Sequence, residues 1–135
     1  MRSRRGQALP EFALALGVFI MLCFGMMYLA RAVEIYTALQ DAVREGLRYA
    51  VVHGPASAQP ATASQVTSVV DSDAQAAGLS TSQLSVNVSW PADQDIRGQY
   101  DAAVSASYPL AFGVPLGPGL NLSLSSSGQM LAAHD

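Results

Sequence analysis

From Phe12 to Ala30 the chain runs nineteen residues without a charge, FALALGVFIMLCFGMMYLA. A helix of that length rises about 1.5 Å per residue and covers roughly the ~30 Å hydrocarbon core of a bilayer. Arg2, Arg4 and Arg5 stand on its amino side, and clustered positive charge holds its flank in the cytoplasm. The chain from Arg31 onward is therefore expected outside the cytoplasm, with Arg31 and Glu34 marking the exit from hydrocarbon. Three readings compete for such a segment. It can be a secretory signal, cut after Ala32 at the A-x-A-like Ala30-Arg31-Ala32, although the apolar run exceeds the usual ~7–15 residues. It can be an anchor that is never cut. The third reading depends on the residues just before it.

Composition narrows the function classes. A chain of 135 residues suits one domain. Half of it is hydrophobic and only 13% is charged, against roughly 25% in soluble domains, which argues against a soluble enzyme. The net charge of −3 hides an asymmetry: after the three leading arginines, four arginines face ten carboxylates. A surface that is basic for five residues and acidic afterwards does not suit nucleic acid, whose phosphates need a sustained basic face. Cys23 has no partner for an internal disulfide. His53 and His134 are too far apart in the chain to suggest a metal cluster. There is no G-x-S-x-G elbow and no glycine-rich phosphate loop. The expectation is a protein without catalytic residues, cofactor, metal or small-molecule substrate.

The helical pattern continues past the membrane. Tyr36, Leu39, Val43, Leu47 and Ala50 draw one apolar stripe, and Glu34, Asp41, Arg44, Glu45 and Arg48 occupy the other face. Asp41–Arg44 and Glu45–Arg48 are i,i+3 pairs worth about 0.2–0.5 kcal/mol each. His53-Gly54-Pro55 stops the helix, with glycine available as a cap and proline unable to continue. His53 is read as a cation meeting the negative helix end rather than as a ligand. The prediction is one helix of about 45 residues, near 67 Å long, half in lipid and half packed on the remainder of the chain. Ala13 and Gly17 form a small-xxx-small pair, and Gly25 adds a second flat spot. Such residues let helices approach in lipid, though glycine is common in membrane helices anyway. Cys23 reads as a small apolar residue, and Met21, Met26 and Met27 as lipid-facing filler.

Residues 54–63 form a Pro/Ala/Ser linker. Ser64 is expected to cap a short helix in which Val66, Val69, Val70, Ala74 and Ala77 share a face, closed by Gly78. Beyond it lie three alternating runs: Leu84–Trp90, Tyr100–Tyr108 and Leu120–Ser125. Period two with one polar face predicts antiparallel strands covered on one side, and the stripe of the long helix is the natural cover. The connections are 91–98 and 109–119. Asp93 and Asp95 in the first could suggest calcium, but two carboxylates lack a ligand set. Asn87-Val88-Ser89 and Asn121-Leu122-Ser123 match a glycosylation triplet that is common by chance. The predicted fold class is α+β.

The third reading of the membrane segment comes from Arg5-Gly6-Gln7-Ala8-Leu9-Pro10-Glu11-Phe12. A carboxylate at the bilayer threshold costs up to about 2.5–3.5 kcal/mol if drawn to the centre. Glu11 can instead lie among headgroups and favour the positive end of the helix dipole. A short basic leader, a glycine, and glutamate fifth after it before an apolar helix resemble the class III signal of type IV pilins. The wording RGQALPEFAL is similar to the TadE-like minor pilins, or pseudopilins, of the tight-adherence (Tad, type IVc) pilus. Arg44-Glu45-Gly46-Leu47-Arg48-Tyr49-Ala50 resembles that family's AREGARYA stretch, so the likeness covers roughly residues 4 to 53. Pro10 stands where the family often has an aliphatic residue, which a first helical turn tolerates, and Leu47 where alanine is commoner. The resemblance implies a pilin-like fold with residues 1–6 as a cytoplasmic leader, 7–53 as the long helix with its membrane segment at 12–30, and 64–135 as an extracytoplasmic module. It implies cleavage between Gly6 and Gln7 by a prepilin peptidase, and an assembly role for Glu11. The implied partners are other pilin subunits, the Tad assembly machinery and the bacterial inner membrane, with later display on the pilus or cell surface.

Overall fold

A computed structural model describes residues 8–54, 57–90, 100–112 and 119–132. The elements are α1 (Ala8–Val52), α2 (Ala63–Ala76), β1 (Ser85–Ser89), β2 (Tyr100–Phe112) and β3 (Leu120–Ala132). The strands form one antiparallel sheet in the order β1-β2-β3. The α+β expectation holds. The chain divides into two units, residues 1–33 and 34–135, and the core belongs to the second.

In that second unit α1 buries Ile35, Leu39, Ala42, Val43, Leu47 and Ala50. The predicted stripe is right except at its start: Tyr36 is 42% exposed, and Ile35 takes its place. A 3.6-residue repeat projected back from Leu39 passes nearer position 35 than 36. From α2 come Val66, Val70 and Ala74, and from β2 come Ala102, Val104, Ala106 and Leu110. Fully burying a valine, leucine or isoleucine side chain contributes about 1.5–3 kcal/mol. Leu39, Val43, Val66, Val70 and Val104 are the largest that do so completely.

The short helix starts earlier than expected. Thr62, not Ser64, is its cap: Thr62 accepts from the Gln65 amide, and the Gln65 side chain accepts from the Thr62 amide at 2.9 Å. That reciprocal pair satisfies two donors at the helix start. The predicted stop at Gly78 is found. Gly78 takes φ of 81°, its amide donates to the Gln75 carbonyl, and the Leu79 amide donates to Ala74. This is a Schellman turn, and Leu79, 5% exposed, folds back into the core beside it. On the helix face Val69 is half-buried and Ala77 exposed, so the covered set is narrower than predicted.

The hairpin of β2 and β3 is longer than the alternation suggests. Pairing runs from Tyr100↔Ala132 to Phe112↔Leu120, so Pro109 lies inside a strand and not in the connection. It sits past the ladder to β1, which ends at Ser85↔Ser107, where β2 has become an edge that tolerates proline. β3 likewise runs on past Ser125 because Ser126 and Gly128 face inward without an apolar signal.

Two glycines set how closely the layers approach. A Cβ on Gly46 would overlap Val70 Cγ2 and lie 3.6 Å from Val66 Cγ1 and 3.8 Å from Val104 Cγ1. A Cβ on Gly128 would lie 2.5 Å from Leu47 Cδ1 and 3.6 Å from Val43 Cγ1. Gly46 is thus where α1, α2 and β2 meet, and Gly128 is where β3 receives Leu47. The two contacts differ in compliance: Val70 is stiff at χ1, while Leu47 meets Gly128 with the far end of a flexible chain. Gly46→Ala should therefore cost about 1–2 kcal/mol net, overpacking outweighing the gain in helix propensity, and Gly128→Ala distinctly less. Thermal melts of the full chain in detergent would rank them, and adding Val70→Ala to Gly46→Ala should recover part of the loss.

Candidate functional site: the amino-terminal helix

The membrane segment lies wholly inside α1. All of its described positions from Phe12 to Ala30 are exposed except Tyr28, which is half-buried. Phe12, Leu14, Phe19, Met21, Leu22, Met26, Met27 and Leu29 are each more than half exposed. The helix is long and apolar enough to cross a membrane, and none of its most apolar window is buried within the chain. A core helix of a soluble protein would pass the length test but would be covered. Leaving this much contiguous apolar surface in water is unfavourable at about 25 cal/mol per Å², so the segment calls for a non-aqueous environment.

The residues predicted to matter divide at Ala8, the first residue of α1. Gly6 and Gln7 lie outside the described residues, as do Asp93, Asp95 and His134. Glu11 falls in the first turn of α1 and is exposed, where the dipole favours a negative charge. Pro10 occupies the same turn, where a missing amide hydrogen costs nothing. A Cβ at Gly17 or Gly25 would meet nothing within 4 Å. These small residues therefore make flat, open places on the apolar surface.

Beyond the segment the charged face is as the spacing predicts. Arg44 lies 3.7 Å from Asp41. Arg48 grips Glu45 with two nitrogens, Nη2 at 2.6 Å from Oε1 and Nε at 3.0 Å from Oε2. The hydrogen bonds from Arg48, and then its charge, hold the Glu45 carboxyl below its ordinary value and raise the guanidinium in return. Whatever this exposed, salt-screened pair adds to stability is present above the usual carboxylate pKa and fades as pH falls through the lowered one. At the helix end the His53 ring stacks on Tyr49 at 4.3 Å, and its Nδ1 lies 3.1 Å from the Tyr49 carbonyl. Among the described residues no group of three or more His, Cys, Asp or Glu could hold a metal. The solvent face of the sheet is a carpet of small polar residues. Ser89, Ser105, Ser127 and Gln129 line a shallow, open depression there, and Ser105 donates to the Asn87 carbonyl at 3.5 Å.

An exposed apolar helix opening on a carboxylate, then a paired charged face and a glycine contact, has a counterpart among known protein families. Residues 6–48 match the model of the TadE-like protein family. The matched stretch opens on Gly6, carries Glu11, spans the exposed segment, and ends at Arg48, just past the Gly46 contact. The likeness read from RGQALPEFAL and REGLRYA is thus shown over those residues. No curated protein and no solved structure matches the chain. Gly46 was legible only as part of that second string. Its packing role against Val66, Val70 and Val104 had no signal in the hydrophobic pattern, because glycine has no side chain to score.

Cys23 is exposed on α1 within the apolar segment. In intact membranes it should resist a charged, water-soluble maleimide and react once detergent is added. Gel-shift labelling before and after solubilisation would check this, and rapid labelling in intact membranes would argue against a spanning segment.

Proposed function

We propose that the chain is a TadE-like minor pilin of a bacterial Tad pilus system. It is made as an inner-membrane precursor with its amino terminus in the cytoplasm, and a prepilin peptidase cuts it between Gly6 and Gln7. The mature chain then joins a pilus or its initiating complex and acts by assembly, not catalysis. The observation that carries this reading is the family match over residues 6–48, whose apolar segment has no cover in the chain. Other pilin subunits and the Tad machinery are the partners this reading implies, and adhesion is the downstream role.

In this reading Glu11 serves assembly. Once the leader is removed, the new α-amine of one subunit and the carboxylate of another pair in an apolar filament core. Paired, the two charges avoid the several kcal/mol that each would cost if buried alone.

One alternative draws on a specific feature. The boundary between the two units falls after Val33, one residue beyond the start left by a cut after Ala32. A chain beginning at Val33 would keep the whole stripe from Ile35 to Ala50 and so its core. A secreted domain is therefore structurally self-consistent, and an uncut anchored surface domain would be as well.

Intact mass and a terminal peptide separate the three. A mature chain beginning at Gln7, with Gly6→Leu blocking its production, is the expected result. A start at Val33 or an uncut chain in cells holding the peptidase would overturn the proposal. In a strain whose wild-type copy is deleted, Glu11→Ala should insert into membranes normally but be depleted from sheared pili. Normal incorporation would remove the role assigned to Glu11.

A further inference from the structure

We infer that the outer edge of β3 is a self-association surface, which pairs antiparallel with β3 of a second copy of this chain in a register centred on Ser126. The two sheets then join across a two-fold axis into one sheet of six strands.

The strand order β1-β2-β3 leaves two edges, and they are guarded differently. β1 is five residues long, and a short edge strand offers little template for pairing. β3 is thirteen residues long, LNLSLSSSGQMLA, with no charge and no proline. Its ladder to β2 runs from Leu120 to Ala132 without a bulge. Among the described residues no strand pairs with its outer side. The backbone N–H and C=O groups on that side are therefore a template for another strand, and none of the usual devices blunts them.

Symmetry selects the occupant. A two-fold contact must be self-complementary, with residue i meeting j and j meeting i. The midpoint of Leu120–Ala132 is Ser126, so full overlap of two copies sets Leu122 opposite the partner's Met130. Leu122 and Met130 lie on the face that receives Leu47 at Gly128, and they are 50% and 45% exposed. Leu124, Ser126 and Gly128 between them are half-buried. The pairing thus brings together the apolar residues that the chain's own helices leave open on this strand. On the solvent face Ser123 meets the partner's Gln129, Ser125 meets the partner's Ser127, and Leu131 meets the partner's Asn121. A slip by one residue would set the inward face of one copy against the solvent face of the other. A slip by two would move Leu122 onto the partner's Gly128 or the partner's Ala132. The chain carries a net charge of −3, so two copies repel in general, and the uncharged β3 adds nothing to that repulsion. An antiparallel ladder exchanges two backbone hydrogen bonds at every second residue pair. Over a strand of this length that reaches the ~10 bonds of an ordinary protein interface.

The test uses the full chain in detergent with Cys23→Ser. Ser125→Cys and Ser127→Cys are placed on two copies with distinguishable tags, and both positions are exposed. Residues directly opposite hold their Cβ atoms about 4.5–5.5 Å apart, against ~7–8 Å on the diagonal, and a disulfide needs about 3.5–4.5 Å. Mild oxidation should therefore give the mixed disulfide several-fold over either self-disulfide. Hydrogen-bonded and non-bonded pairs alternate along the ladder, so Ser126→Cys probes the other geometry. It should couple to itself more than Ser125→Cys does. Either product at that excess supports the pairing. Failure of both would overturn the inference and leave the edge to a strand of a different protein. A self-disulfide of Ser125→Cys or Ser127→Cys in excess of the mixed product would mark a slipped register and would overturn it as well.

Discussion

The close approach at Gly46 is the constraint on which the second unit depends. α1 can pack closely against both α2 and β2 because one position on its buried stripe carries no side chain, and Val66, Val70 and Val104 fill that place. Gly128 repeats the device on the sheet, taking Leu47 into the space its missing side chain leaves. Packed interiors tolerate little added volume. The glycines therefore set the spacing of helix and sheet, while the larger residues around them supply the burial energy.

One helix serves two solvents. Up to Val33 its side chains are almost all uncovered and apolar, and from Ile35 it keeps one stripe for protein and gives the other face to Asp41, Arg44, Glu45 and Arg48. The change costs no break in the backbone, since helical hydrogen bonds are satisfied internally in either medium. The family match, over residues 6–48, takes in part of both regimes.

Much of this was legible in the residues. A charge-free run of nineteen residues and a period of 3.6 after it leave few alternatives to a long helix, and period-two runs with serine on one face gave the antiparallel sheet. What escaped was carried by residues with little side chain or with local hydrogen bonding. Ser126 and Gly128 extend β3 on a face that hydropathy cannot see, so the strand seemed to stop at Ser125. Pro109 looked like a terminator because its tolerance depends on where β1 ends, which is a matter of register. Thr62 displaced Ser64 as the cap because only Thr62 has Gln65 three residues on to complete the pair. At the candidate site, Glu11 was conspicuous as a lone carboxylate before an apolar run. The assembly role proposed for it rests on resemblance, because an exposed first-turn glutamate carries no physical signal of its own in a single chain.

The contact between Leu47 and Gly128 also has a consequence for the order in which the protein can be made. The two residues are separated by roughly eighty positions, a long-range pairing of the kind that closes late. Until β3 has been synthesised, Val43 and Leu47 lack the Gly128 face that receives them, although α2 and β2 can already meet at Gly46. A nascent chain halted before β3 would thus present an amphipathic helix with part of its apolar stripe uncovered. Such an intermediate is prone to pair with a neighbour. Completion of the last strand is the step that lifts the helix out of that competition.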